Sequence, residues 1–296
     1  MSKITNVHNN WGTQFEFDKP TDFFNSNPDT WRELLYKRSL LVFKNMNFTK
    51  QDYVKFLMNF GSLWTENDYK YSKEATENVQ LLDKTHTISP ISNKISKRLG
   101  RGGMAWHSDI PNRSYKPFPI RSLWMVNNPD PTSGLTTWMN IQEGIDCLPD
   151  NLKENIPNIK IQQQSWYKED TEIDNFDFIK IHPITGKHSL RLNYFCDPEK
   201  NITDAWIKSV SINGEISECK PILGPYLKYL ESQEEMLYTH KWGMYDIIVY
   251  DNWPFVHNRT KLEIKEDQER KFYRANIDHL TDQEWASYNA YEKYKS

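Results

Sequence analysis

Cysteine is scarce in this sequence. Cys147, Cys196 and Cys219 are the whole supply in 296 residues, odd in number and without a CxxC pair. They support neither a disulfide framework nor a cysteine-built zinc site, and a reducing cytoplasm suits them best. Long apolar runs are missing as well. The stretches around Leu40–Phe43 and Ile247–Tyr250 fall far short of the roughly 18 residues that cross a bilayer. The opening MSKITNVHNN lacks the apolar run of about 7–15 residues that an export signal carries. A cytoplasmic protein without a membrane partner is expected. Nor does one sign of charge dominate: 40 acidic and 37 basic residues are interspersed, for a net charge of −3. No summed field therefore points to nucleic acid or an anionic membrane, and a small-molecule partner is the default.

Apolar residues are few, at 38% with Tyr counted, against roughly 45–50% in a typical soluble domain. The 14 Phe, 16 Tyr and 11 Trp compensate, because each buries so much area, and an aromatic-rich core follows. No repeat, low-complexity tract or Pro/Gly/Ser linker divides the chain, which predicts one domain over residues 1–296.

Asp29 or Thr30 reads as the cap of a first helix containing Leu34, Leu35 and Tyr36, followed by a strand over Ser39–Phe43. Thr49 with Asp52 opens a second helix, whose Tyr53, Phe56, Leu57 and Phe60 recur at helical spacing before Gly61 ends it. From about residue 104 the pattern is strand-like: Ile120–Val126, Thr136–Met139, Ile159–Gln162, Leu190–Tyr194, Asp246–Tyr250 and Lys271–Ile277. So many short strands predict a mainly β fold with flanking helices, a sandwich or jelly roll. Residues 201–235 interrupt the pattern and read as a partly helical insert anchored by Ile216, Leu223, Tyr226, Leu227 and Leu230. The stretch Ser89–Gly103, with Lys94, Lys97, Arg98 and Arg101, is either a solvated loop or a lid over an anionic substrate.

In an extended segment residues i and i+2 share a face, so His107 and Asp109 converge while Ser108 points away. His257, just after the buried-looking run into Tyr250–Asp251–Asn252, is the candidate third ligand. Two His and one carboxylate on one face of a metal are the arrangement of non-haem Fe(II) oxygenases, whereas zinc more often takes a closed or hydrolytic site. Arg270, Phe272 and Arg274 share one face of the strand that follows. Inward guanidiniums there need an anion, unless they reach solvent or structural acids. The planar fork of Arg suits a dicarboxylic co-substrate.

These residues, in order, resemble one family: the Leu40–Phe43 strand, Phe60–Gly61, Trp106–His107–Ser108–Asp109, Ser133–Gly134–Leu135–Thr136–Thr137–Trp138, His182–Pro183–Ile184–Thr185–Gly186–Lys187, Tyr250–Asp251–Asn252 before His257, and Arg270 with Arg274. The chain resembles the taurine dioxygenase type (TauD/TfdA) of Fe(II)- and 2-oxoglutarate-dependent oxygenases over about residues 30–280. The resemblance implies a double-stranded β-helix (jelly roll) core, with Fe(II) on His107, Asp109 and His257. It further implies that Thr136 and Arg270 hold the far carboxylate of 2-oxoglutarate, that O2 is consumed, and that Arg274 meets an anionic group of the substrate. Three departures point away from taurine: Gly103 replaces a substrate-binding amide, Leu135 replaces an acidic residue, and the segment from His257 to Arg270 is about two residues longer. Because Asp109 fills the carboxylate position, an oxidation such as hydroxylation, desaturation or cyclisation is expected rather than halogenation.

Asn193 and Arg191 either line the substrate pocket or face outward. Trp106 is expected to pack behind the metal ligands. Asn252 and Asp251 are expected to fix the turn that positions His257, and His182–Gly186 to form a turn between strands. The function expected is decarboxylation of 2-oxoglutarate to succinate coupled to oxidation of an unactivated C–H bond in a small anionic substrate. An amino acid or other carboxylic acid is preferred to a sulfonate or alkyl sulfate. The competing reading is a non-catalytic jelly roll that binds a small acid, and a homo-oligomer is left open.

Overall fold

The computed structural model describes residues 3–65, 68, 80–81, 87–95, 102–109, 118–164, 173–193 and 207–287. Two sheets face each other across an aromatic core. The larger runs in the order β1 (Lys3–Asn6), β2 (Thr13–Glu16), β3 (Leu40–Lys44), β16 (Ile247–Tyr250), β7 (Ile120–Asn127), β18 (Lys271–Ile277), β5 (Thr87–Ser92) and β4 (Gln80–Leu81). Its pairs are antiparallel except the parallel β2–β3. The smaller sheet runs β15 (Leu237–His240), β8 (Thr136–Asn140), β17 (Phe255–Arg259) and β6 (Met104–His107).

Strands β3 and β16 read as continuous apolar runs because both of their faces are covered. Val42, Ile248 and Tyr250 point inward to Met125, Phe272, Trp138, Trp242 and Phe255. Leu41, Phe43, Ile247 and Val249 point outward, onto Trp31 and Leu35 of α1 (Pro28–Arg38) and Tyr53, Phe56 and Leu57 of α2 (Lys50–Leu57). A second core lies beside the smaller sheet. It is built by β9 (Ile159–Gln164), β10 (Ile173–Asp177), β13 (Ile207–Ile212) and β14 (Glu215–Ser217), paired in the order β10-β9-β13-β14, by the hairpin β11 (Ile179–Ile181)–β12 (His188–Leu190), and by α3 (Cys219–Glu231). The expected mainly β jelly roll is what is observed.

Several local expectations change. Helix α1 begins earlier than Asp29: Asn27 is its cap, accepting the Asp29 N–H at 3.1 Å, with Pro28 at the first helical position. Proline belongs there because its fixed φ is helical and its missing N–H would have had no partner. The Thr49–Asp52 capping box opens α2 as expected, but the helix stops at Leu57. Gly61 has another task. At φ +148° a Cβ there would lie 2.7 Å from the Asp278 carbonyl oxygen, so only glycine lets the chain pass the end of β18.

The 201–235 insert is a β hairpin followed by a helix; its residues 201–206 lie outside the described residues. Leu223, Tyr226 and Leu230 are buried and Leu227 partly so, but Ile216, expected as an anchor, is 73% exposed on the edge strand β14. The strand expected over Leu190–Tyr194 ends at Leu190, and Tyr194 lies outside the described residues. Of the candidate lid, Ser89–Ser92 are part of β5 and pair with β18. Lys94 Nζ donates to the Glu266 carbonyl, while Lys97, Arg98 and Arg101 lie outside the described residues.

Candidate active site

Register builds the site. Strand β17 lies beside β6 with His257 directly opposite His107, and their ring centroids are 4.1 Å apart. Asp109 follows one bend after β6, and one ligand atom from each of the three residues falls within 4.8 Å of the others. His107 Nδ1 donates to the Ala105 carbonyl at 2.8 Å, which leaves Nε2 as the lone-pair nitrogen. Burial pushes both histidines toward the neutral form a metal requires, His257 to about 3. Burial also opposes charge on Asp109, yet the positive charge around it, that of the Arg121 guanidinium foremost, outweighs burial and holds the carboxyl far below its usual range. This is the donor set of a facial two-His, one-carboxylate metal site.

The chain around the ligands is pinned. Asn252 Oδ1 accepts the Asp109 N–H at 3.2 Å, and its Nδ2 donates to the Asp109 carbonyl. Asn252, in the turn before His257, thus also clamps the Asp109 backbone. Ser108 faces away, its hydroxyl donating to the Phe255 carbonyl at 2.7 Å and its N–H to Asn193 Oδ1 at 3.0 Å. Asn193 is buried, and its Nδ2 has no partner among the described residues. Trp106, on the opposite face of β6 from His107, packs on the second core and donates to the Glu231 carboxylate at the end of α3. Two residues that the sequence reading did not single out hold the carboxylate itself. Arg121 Nε donates to Asp109 Oδ2 at 3.0 Å, and the Tyr250 hydroxyl donates to the same atom at 2.9 Å. The available signal was an arginine inside the apolar run Ile120–Val126.

A short way along the smaller sheet, Thr136 of β8 stands opposite Arg259 of β17. Thr136 Oγ1 accepts the Trp242 indole N–H at 3.0 Å, so its own proton is left to give. Arg270 is only 2% exposed; its guanidinium carbon lies 4.7 Å from the Phe272 ring centroid, but none of its three nitrogens has a hydrogen-bond partner among the described residues. Burial, then the charge of Arg259, pulls its pKa down to about 9. Gly134, at φ +61°, makes the room, since a Cβ there would collide with Arg270 Nη1. A buried guanidinium without an anion costs several kcal/mol, so this cradle fits a carboxylate such as that of 2-oxoglutarate. Arg274 lies within β18, and its charge acts on Asp109. Arg191 is directed elsewhere: its guanidinium carbon lies 4.5 Å from the centroid of the Phe176 ring, and Nε donates to the Asp177 carbonyl at 3.1 Å.

His182, Asp251 and His279 form a second cluster with ligand atoms within 4.8 Å of one another. Its nitrogens are already used. His182 Nδ1 accepts the N–H groups of Ile184 and Thr185 at 3.0 and 3.1 Å, so Nε2–H donates to Asp251 at 2.7 Å. His279 Nε2–H donates to the Phe118 carbonyl at 3.0 Å, and Nδ1 accepts from the Tyr36 hydroxyl at 3.2 Å. No lone pair is left for a metal, and the cluster fastens the Asp251–Asn252 turn instead.

Comparison with known proteins agrees with this geometry. Residues 3–276 match the family described as taurine catabolism dioxygenase TauD, TfdA family. Among curated relatives, an (S)-phenoxypropionate/alpha-ketoglutarate-dioxygenase of Sphingobium herbicidovorans is 21% identical over 81% of this chain and 82% of its own. An alpha-ketoglutarate-dependent 2,4-dichlorophenoxyacetate dioxygenase of Cupriavidus pinatubonensis is 20% identical over 80% and 84%. Among solved structures, AAD-2 in complex with Mn(II) and N-oxalylglycine superposes with a TM-score of 0.65 at 19% identity, covering 95% of this chain and 98% of that one. A taurine dioxygenase from Burkholderia xenovorans gives 0.65 at 16% identity, covering 94% and 90%. With a family match across nearly the whole chain, the protein belongs to the TauD/TfdA family of Fe(II)- and 2-oxoglutarate-dependent dioxygenases.

Proposed function

We propose that this dioxygenase oxidises an unactivated C–H bond of a small carboxylic acid with an apolar body. His107, Asp109 and His257 hold Fe(II), Arg270 and Thr136 hold the far carboxylate of 2-oxoglutarate, and Arg274 meets the carboxylate of the substrate. When bound, iron, O2 and 2-oxoglutarate supply the oxidising power, and 2-oxoglutarate leaves as succinate and CO2. The protein supplies position: the cradle fixes the co-substrate by one end, and the aromatic walls of the inter-sheet core keep water from it.

The observation that carries the co-substrate assignment is the Arg270 guanidinium, buried with three nitrogens lacking partners among the described residues. Support for the substrate class comes from Arg274, whose charge reaches Asp109, and from two relatives named for phenoxypropionate and 2,4-dichlorophenoxyacetate, both carboxylates. Asn193, with its buried Nδ2, is the further candidate for contact with substrate. Arg191 is left out because it is engaged at Phe176 and Asp177.

The test is substrate-stimulated succinate release by the purified protein with Fe(II), across amino acids, aryloxy acids, other carboxylates, sulfonates and alkyl sulfates. Strong coupling is expected among carboxylates. Coupling confined to a neutral or cationic compound would refute the role of Arg274, and a complete absence of succinate would favour a non-catalytic acid-binding protein.

A further inference from the structure

The inner face of β18 carries more polar groups than Arg274 alone. Phe272 packs against Trp242 between the sheets, with ring centroids 4.7 Å apart, whereas Tyr273, Ala275 and Ile277 join the core on the helix side. Alternation therefore turns Arg274 and Asn276 inward with Phe272. In register, Ser89 of β5 stands opposite Arg274, and Arg121 of β7 opposite Asn276. Opposed residues on one face have Cβ atoms about 4.5–5.5 Å apart and diagonal ones about 7–8 Å, so Ser89, Arg274 and Asn276 form one contiguous polar patch. Ser89 and Asn276 are 1% and 0% exposed, yet the Ser89 hydroxyl and Asn276 Nδ2 have no partner among the described residues. The amide has no choice of orientation. Its neighbour Arg121 Nη1 can only donate, so Oδ1 turns to it and both N–H groups of Nδ2 are left over. Arg121 in turn donates through Nε to Asp109 Oδ2 at 3.0 Å, which puts this amide one side chain away from a metal ligand. Asn193 is turned by the same rule, its Oδ1 held by the Ser108 N–H and its Nδ2 left over.

We infer that Ser89 and Asn276 determine specificity: with Arg274 they select a carboxylic acid that bears an acceptor oxygen on the carbon beside its carboxylate, and they reject an ammonium there. The inference rests on the reading of Arg274 as the partner of the substrate carboxylate. Buried polar atoms are nearly always paired, and a buried donor left unmet is costly. At a ligand site the missing partner comes with the ligand. The Ser89 hydroxyl, opposite Arg274, donates to the same carboxylate. The Asn276 amide lies two residues along the strand, about 6.6 Å, and so reaches the substrate a bond or two beyond that group. An ether, hydroxyl or carbonyl oxygen accepts its N–H. An ammonium offers three donors and no lone pair, and it would meet amide N–H groups and a guanidinium. One carbon body is therefore held as an oxygen-bearing acid and turned away as an amino acid, while a plain methylene leaves the amide unmet. Among the carboxylic acids proposed above, amino acids are the members excluded.

The experiment uses the full chain, loaded with Fe(II) and 2-oxoglutarate without air, and reads binding by calorimetric titration. Two matched triplets serve as probes: 3-phenyllactate, 3-phenylpropanoate and phenylalanine, then 2-hydroxy-4-methylpentanoate, 4-methylpentanoate and leucine, each chiral member as both enantiomers. The parent is expected to bind the hydroxy acid at least about 10-fold more tightly than the unsubstituted acid, and the amino acid most weakly. N276D keeps the oxygen that Arg121 needs and exchanges the N–H groups for a second acceptor, so it is expected to reverse the order of hydroxy acid and amino acid. N276S lacks the amide N–H groups and is expected to level the hydroxy and unsubstituted acids; it carries the test if N276D does not fold. S89A is expected to weaken all the acids alike, by a few-fold, and to keep the parent's order. The inference is overturned by a parent that prefers the amino acid or treats hydroxy and unsubstituted acids alike. It is overturned equally if the parent's order survives in both Asn276 variants, or if S89A binds every acid as the parent does. Should no carboxylate bind, in these triplets or the wider screen, the reading of Arg274 fails and takes the inference with it, so the two failures are distinguishable.

Discussion

Arg270, just before β18, and Arg274, within it, stand four residues apart, yet they meet different surroundings. Arg270 is sealed in with Gly134 against its fork, while Arg274 lies toward Asp109. Truncating a buried charge that pairs with a ligand costs roughly 2–5 kcal/mol. The R270A variant is accordingly expected to weaken 2-oxoglutarate binding by one to several powers of ten in calorimetric titration. R274A is expected to spare that binding, and the slow succinate release seen without substrate, while raising the substrate requirement. Equal loss of 2-oxoglutarate affinity in both would refute the division. These arginines were legible in the sequence because an inward guanidinium demands an anion. Arg121 was not legible in the same way. Its partner Asp109 lies on the other sheet, and the pairing that joins them depends on register, which composition and spacing do not give.

At the scale of elements, the strands were easier to read than their ends. β3 and β16 announce themselves as apolar runs, because burial on both faces leaves that signature. Helix α1 shows where such reading slips. Asp29 and Thr30 are good caps, but Asn27 with Pro28 behind it is better, since proline fixes the first turn and the Asn27 side chain satisfies the Asp29 N–H. Replacing Asn27 with Ala is expected to lower stability by about 1 kcal/mol in urea unfolding, the usual worth of an N-cap. T30A is expected to change it little, and the reverse order would restore Thr30 as the cap. Ile216 was misread for a different reason. Apolar character says nothing of which side of an edge strand is covered, and among the described residues no layer covers this one.

Across the whole molecule, the His182–Asp251–His279 cluster ties together α1 through Tyr36, the entry to β7 through Phe118, and the exit from β18. Burial, outweighing the pull of Asp251, lowers the His279 pKa to about 4. The unfolded chain takes up that proton near pH 6.5 and the folded one near 4, so between these values the unfolded state binds more protons and stability drops as the pH is lowered. The contribution is complete above about pH 6.5 and lost toward pH 4, on the order of 3 kcal/mol in all. Urea midpoints of the metal-free protein are expected to fall over that window, and H279Q to flatten the fall. Because His257 adds to the same trend without metal, the difference between parent and H279Q isolates His279. An identical slope in both would show that the proton is taken up elsewhere. The sequence marked His182 as part of a turn but gave no hint of this junction, since its members come together only through the jelly-roll topology.

The order of strands in the larger sheet also sets a timetable. β3, β5 and β7 are synthesised early, but in the finished sheet β16 lies between β3 and β7, and β18 lies between β7 and β5. Until residues 247–277 leave the ribosome, the early strands have no inner neighbours and present open edges, the kind that recruit other chains. His107 and Asp109 wait with them. The 150 residues that separate His107 from His257 take roughly 8–30 s to make at typical synthesis rates. For that interval a nascent chain carries His107 and Asp109 without His257, Arg270 or Arg274 to stand beside them. A chain stopped short of β16 is therefore left with edges to protect.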